Sequence, residues 1–334
     1  MIPAHDKCGA TGTWPTYHLF GLTLASDFPF ANRLAPGNGP PDLTFTCVQQ
    51  APYASDLAAM QPAYTSPYYN AAGKSNLALY RQSDCDVLRF ADIADFYLWP
   101  QRIVCHPSGT ADATLVEILL LGVVLSFWLE RAGVLTLHAS AVAVEGHVAA
   151  FIATNTGGKS SLAAILTQAG YPLLSDDMLA VEQCSGRFMG RPGCPEMRLW
   201  PDQAEYFLGH YWRHLDKVVP AYAKRRVPVG LDGVGTFCDT SKPLGCFYLP
   251  ARRDPSTWGV GIEITPVPPQ DGLIELVRHS FTPNIVEARG LQPKRLQLLA
   301  AIACQVPIRQ VIYPSSREHF PQVRQALLTD LANR

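Results

Sequence analysis

The stretch HVAAFIATNTGGKSSLAAILTQAGYPLLSDD, His147 to Asp177, restricts the fold more than any other part of the chain. Its opening apolar run, HVAAFIA, has the length and composition of a buried strand. The glycine-rich TNTGG breaks that run, and from Lys159 to about Ala169 the residues favour a helix that Gly170 closes as a C-terminal cap. A short strand, PLLS, then ends in the adjacent carboxylates Asp176 and Asp177. Strand, glycine-rich loop, helix and returning strand is the βαβ order of a parallel-sheet nucleotide-binding domain. Upstream, VLTLHA and AVAV read as two more strands, joined to HVAAFIA through a tight EG turn.

The loop has the spacing of the phosphate-binding pattern GxxxxGK[ST], with Ala153, Thr154, Asn155, Thr156, Gly157, Gly158, Lys159 and Ser160 at its eight positions and Ser161 after them. In such a loop successive backbone N–H groups and the positive end of the helix surround the phosphates. The lysine neutralises the β and γ oxygens, and the hydroxyl ligates Mg²⁺. Ala153 stands where the first glycine belongs, which matters only if the backbone there needs positive φ or very close packing. A second GKS, at Gly73 to Ser75, follows the turn-like TSPYYN rather than a strand, so Lys74 is expected to be a surface residue.

Asp176 and Asp177 fall where a carboxylate reaches Mg²⁺ or an attacking nucleophile, and in extended backbone they point opposite ways. His138, 21 residues before Lys159, ends a strand expected beside the loop strand. It reads equally as a core histidine and as a support for Asp177.

A net charge of −1 with 16% charged residues gives no field for nucleic acid or anionic lipid. The nine cysteines are scattered without a CxxC pair, which suits reduced thiols of a cytoplasmic protein. No export signal is expected in MIPAHDKCGATGTW. Strand-like runs such as YHLFGLTLA, separated by Pro, Gly, Asn and Asp clusters, predict a smaller β-rich domain over residues 1–108, possessing a surface for substrate recognition, with the phosphate-loop domain over 109–334. The apolar LVEILLLGVVLSFWLERAG, Leu115 to Gly133, is interrupted by charge at both ends and is expected as a buried core helix rather than a membrane span.

The series LHASAVAVEGHVAAFIATNTGGKSSLAAILTQAGYPLLSDD resembles the C-terminal kinase domain of HPr kinase/phosphorylase. A strand-end histidine, a hairpin, a phosphate loop, a glycine-ended helix and a double aspartate recur there in this order. The resemblance implies an α/β P-loop kinase fold, HPr kinase/PEP carboxykinase-like, with ATP and Mg²⁺ as cofactors and a serine hydroxyl as acceptor. It implies Lys159 on the phosphates, Ser160 and Asp176 on the metal, Asp177 as proton acceptor and His138 as its support. EMRL, Glu196 to Leu199, is the nearest counterpart of the family's EIRG segment, which makes Glu196 a further metal ligand although the glycine is lost. The β-rich front, RLWPD and KRRVPV are similar to HPr-kinase-like proteins of ribosomal-peptide biosynthesis, some of which phosphorylate the C-terminal serine of a lasso-peptide precursor. The implied partner is a peptide or small protein bearing serine.

Lys224, Arg225 and Arg226, just before a strand, and Arg198 are candidates for phosphate or a peptide carboxylate. His210 and His214 have the spacing of a helical metal site but lack a third ligand motif, and read as a surface helix. PKRLQLLAAIA and FPQVRQALLTDLA are expected to be amphipathic helices packed on the sheet. A nucleotide-binding regulator without turnover, a kinase of a small-molecule hydroxyl, and a homo-oligomer all remain open.

Overall fold

The computed structural model describes residues 14–53, 57, 59–109, 111–219, 221–230 and 233–333. Residues 1–13, which hold Cys8 and nearly all of the segment read for an export signal, lie outside them. The other cysteines are free thiols. The chain divides into two compact units, Met1–Ala132 with Thr282–Gln292, and Gly133–Phe281 with Pro293–Arg334.

The division falls after Ala132, not near Ser108, because the apolar segment belongs with the first unit. That segment is helical over Ala113–Leu119, makes a π turn over Leu120–Val124 and resumes over Leu125–Arg131. By length and composition this run could cross a membrane, and most of it is buried. Its polar groups are tied to the unit's loops and strands. Glu117 accepts from the backbone N–H groups of Ala31 (3.1 Å) and Asn32 (2.6 Å). The Trp128 indole N–H donates to Trp99 O (3.1 Å), and Arg131 donates to Leu98 O (2.9 Å).

The first unit's sheet has nine strands in the spatial order Ala35–Pro36, Thr16–Leu19, Leu22–Ser26, Leu43–Cys47, Arg102–Pro107, Ala94–Leu98, Asp86–Phe90, Ala78–Arg81, Tyr64–Thr65. The run YHLFGLTLA is a hairpin rather than one strand. Phe20 (φ 50°) and Gly21 (φ 70°) form a two-residue turn of the kind whose twist suits antiparallel strands.

The second unit is built on a mixed sheet in the order Leu135–Leu137, Leu179–Cys184, Arg187–Arg191, Lys242–Arg253, His147–Ile152, Ala139–Val144, Leu173–Ser175. Ile308–Pro314 also pairs with Lys242–Arg253, in parallel, and Glu263–Pro266 pairs antiparallel with Ile308–Pro314. The loop strand His147–Ile152 and the returning strand Leu173–Ser175 are not neighbours. Ala139–Val144 lies between them, antiparallel to both.

Both faces of this sheet are covered, which explains the near-continuous apolar letters of its central strands. Along the loop strand the side chains alternate. Ala149 and Phe151 pack with Leu162, Ala163 and Leu166 of the helix Lys159–Gln168, and with Phe320, Val323 and Leu327 of the helix Phe320–Ala332. Val148, Ala150 and Ile152 face Leu276 together with Leu299 and Ile302 of the helix Gln292–Gln305. A two-stranded ribbon, Glu196–Leu199 with Arg225–Pro228, packs beside the loop helix.

The loop strand, Lys242–Arg253 and Ile308–Pro314 run parallel, so their carboxyl ends share one edge. Ligands of open α/β sheets bind outside such an edge.

Candidate functional site

The loop leaves the carboxyl end of His147–Ile152 and enters the helix at Lys159, with Gly158 as its N-cap at φ 100°. That backbone favours glycine, and a side chain there would also run into the Tyr313 hydroxyl. Gly157 has a different reason to be bare: a Cβ would meet Ala153 Cβ at 2.6 Å and Thr154 O at 2.9 Å. Ala153 itself is buried and has no positive φ, so alanine fits the first loop position without strain. Thr156 takes φ 65°, rare for a β-branched residue, and Arg252 donates to its carbonyl oxygen.

The Lys159 side chain is buried at 6% exposure and donates to the carbonyls of Ala153 (2.7 Å) and Thr154 (3.2 Å). Burial lowers its pKa to about 8, against the opposing pull of Asp176 and Asp177. Its ammonium is therefore poorly compensated, a state that a phosphate oxygen would relieve.

Asp176 and Asp177 do different work. Asp176 Oδ1 accepts from the hydroxyls of Ser160 (2.8 Å) and Ser140 (2.5 Å), and its Oδ2 accepts from the Arg198 backbone N–H (2.8 Å). Asp177 adopts φ 70° and its carboxylate takes a 2.7 Å bond from Arg198 Nη1. Burial pushes the Asp177 pKa up, but Arg198, then His138, Lys224 and Lys159, outweigh it and hold the group below its ordinary value. Asp177 is thus ionised at neutral pH.

His138 does not occupy a simple strand end. The chain breaks there between Leu135–Leu137, which pairs with Leu179–Cys184, and Ala139–Val144, which pairs with the loop strand. Its Nδ1 makes its hydrogen bond to the backbone oxygen of Asp177 (2.9 Å), with the carboxylate farther away at 3.7 Å. Because a carbonyl only accepts, Nδ1 carries the proton. Nε2 lies 3.0 Å from the Asn155 side chain, so His138 links the aspartate to the start of the loop.

An open cleft of about 260 Å³ collects these groups: His138, Asn155 to Ser161, Asp177 and Arg198, with Lys224 and Arg252 as further cations. Of the three basic residues only Lys224 precedes the ribbon strand and lines the cleft, while Arg225 and Arg226 are the strand's first two residues. Arg225 donates to Leu215 O (3.0 Å) and lies over the Trp212 ring. Arg226 is buried, donating to Val218 O (3.2 Å) and pairing with Glu196 at 4.0 Å. Glu196 therefore faces Arg226 and does not line the cleft. Among the described residues no group of three His, Cys, Asp or Glu side chains is placed to hold a metal by itself.

Lys74 lies on a turn and pairs with Asp92 at 2.5 Å. His210 and His214 are exposed on the 3₁₀ turn Gly209–His214, where His210 meets Arg213. Sequence reasoning missed Ser140, Arg252, Tyr313, and the rim residues Trp200, Asp202 and Gln203. Ser140 had a signal, since it stands two residues after His138, on the same face in extended backbone. Arg252 is the next-to-last residue of the strand KPLGCFYLPARR, at the ligand edge.

The donor set fits a nucleotide phosphate with Mg²⁺. Two loop positions admit no side chain, a helix begins directly at the loop, and Ser160 and Asp176 offer hard oxygens side by side. No protein-family model matches the chain, and no curated protein matches it at a significant level. Among solved structures, the HPr(Ser) kinase/phosphatase from Coxiella burnetii is similar at 12% identity, over 59% of this chain and 97% of that one, with a TM-score of 0.30.

Proposed function

We propose that the chain is an ATP- and Mg²⁺-dependent kinase that transfers the γ-phosphoryl group to a serine hydroxyl of a peptide or small protein. The observation that carries this reading is the hydrogen bond between Ser160 and Asp176, with the ionised Asp177 next in sequence lining the same cleft as Lys159. Ser160 and Asp176 would hold Mg²⁺, which neutralises charge on the phosphate oxygens when bound. Loop N–H groups and Lys159 bind the triphosphate, and Arg252 adds a cation beside Thr156. Asp177 accepts the serine proton as the hydroxyl attacks, while Arg198 and His138 fix its position. The C-terminal serine of a lasso-peptide precursor is the acceptor that the sequence resemblance suggests. Free thiols in the described residues fit a reducing, cytoplasmic setting.

A nucleotide-binding protein without turnover is the second reading. The 2.7 Å bond from Arg198 to Asp177 favours it, because a base held in a closed ion pair is a weak proton acceptor. Incubating the protein with ATP, Mg²⁺ and serine peptides, followed by mass spectrometry, separates the two. The kinase reading expects phosphoserine, abolished by Lys159→Ala with the circular dichroism spectrum unchanged. Retained transfer in that variant sinks it, tight ATP binding without product supports the second reading, and product only with small hydroxylated metabolites reassigns the acceptor.

A further inference from the structure

Resting on that reading, we propose that Trp200 is the platform on which the nucleobase stacks. Apart from the His138 imidazole, Trp200 is the one aromatic ring among the described residues that line the cleft, and it is 36% exposed. Its position follows from the chain. Glu196–Leu199 delivers Arg198 to Asp177, and Trp200 then caps the helix Pro201–Leu208. Both elements pack against the loop helix.

Asn155, at the start of the loop, is joined to His138 and through it to Asp177. Ser160, in the helix, is tied through Asp176 to the Arg198 backbone N–H, and Glu196–Leu199 and Pro201–Leu208 pack on that helix. In a phosphate loop the terminal phosphate meets the lysine and the catalytic carboxylate, and the inner phosphates sit over the helix start. The nucleoside then leaves toward Trp200.

The rim there is suited to a base. Lys224 Nζ lies 5.7 Å from the Trp200 ring centroid, a cation–π pair that orients the indole.

Isothermal titration of the full-length protein with ATP and with inorganic tripolyphosphate tests this. Trp200→Ala should weaken ATP roughly tenfold and leave tripolyphosphate unchanged, while Trp200→Phe keeps most of the ATP affinity. The Trp200 backbone caps the helix in every variant, and circular dichroism checks the fold. Equal weakening of both ligands, or of neither, overturns the platform while leaving the loop reading intact. A wild-type protein that binds neither ligand overturns both.

Discussion

The methyl group of Ala153 occupies the space that a side chain at Gly157 would need, at 2.6 Å from an ideal Cβ there. The alanine that departs from the phosphate-loop pattern is thus accommodated by a glycine four residues later. Gly157→Ala should reshape the loop and lower ATP affinity by about tenfold or more, since both obstructing groups belong to the loop itself. Ala153→Gly should bind within about threefold of wild type, because it removes only a methyl group and stiffens nothing. Titration of both variants checks the pair, and a Gly157→Ala protein with wild-type affinity would show that the loop opens on binding.

Asp177→Asn keeps the size of the side chain and its bond to Arg198 through the amide oxygen, but cannot take a proton. Phosphoryl transfer should fall by about 10²–10⁴-fold with ATP affinity nearly unchanged. Single-turnover transfer beside equilibrium binding gives the test, and an equal drop in both quantities would assign Asp177 to binding.

His279 is 7% exposed, and burial, followed by the charges of Lys159, His138 and Arg278, lowers its pKa from 6.5 to about 4. Glu275, at 3.5 Å, is the opposing carboxylate. Between pH 6.5 and about 4 the unfolded chain binds a proton that the folded one refuses. Stability should therefore be unaffected by this group above pH 6.5 and fall as the pH drops through that window, by up to about 3 kcal/mol. His279→Gln should flatten that part of the urea-unfolding pH profile; an identical slope would refute the assignment.

In the first unit Asp86 is 2% exposed and lies between two guanidinium groups, Arg131 Nε at 3.1 Å and Arg289 Nε at 2.9 Å. Asp86→Ala leaves two cations without their shared anion and should cost about 3–5 kcal/mol. Urea denaturation monitored by tryptophan fluorescence measures it, and a loss below about 1 kcal/mol would mean that water replaces the carboxylate.

Local order made part of this molecule legible in its letters. Loop, helix and capping glycine follow one another within a few residues, so Gly158 and Gly170 announce their positive φ through spacing alone. The sheet's partners are set at long range and were hidden. Nothing local says that Ala139–Val144 separates the loop strand from Leu173–Ser175, or that the chain changes partner at His138. Charged residues were ambiguous for the same reason. Lys224, Arg225 and Arg226 are adjacent letters, yet strand alternation and the neighbouring loops send one to the cleft and the other two to protein partners. Arg252 became visible only when the parallel strand beside the loop was known.

That strand carries a further consequence. Phe151, two residues before the loop, stands opposite Tyr248, four residues before Arg252, and their rings stack at 5.6 Å. The Tyr248 hydroxyl is in turn fastened to Asp330 at 2.7 Å. A slip of one residue between these strands would carry Arg252 to the opposite face and bring its neighbour to the loop. The arginine's alignment with the loop is thus a matter of registration, held by an aromatic pair buried beneath the site.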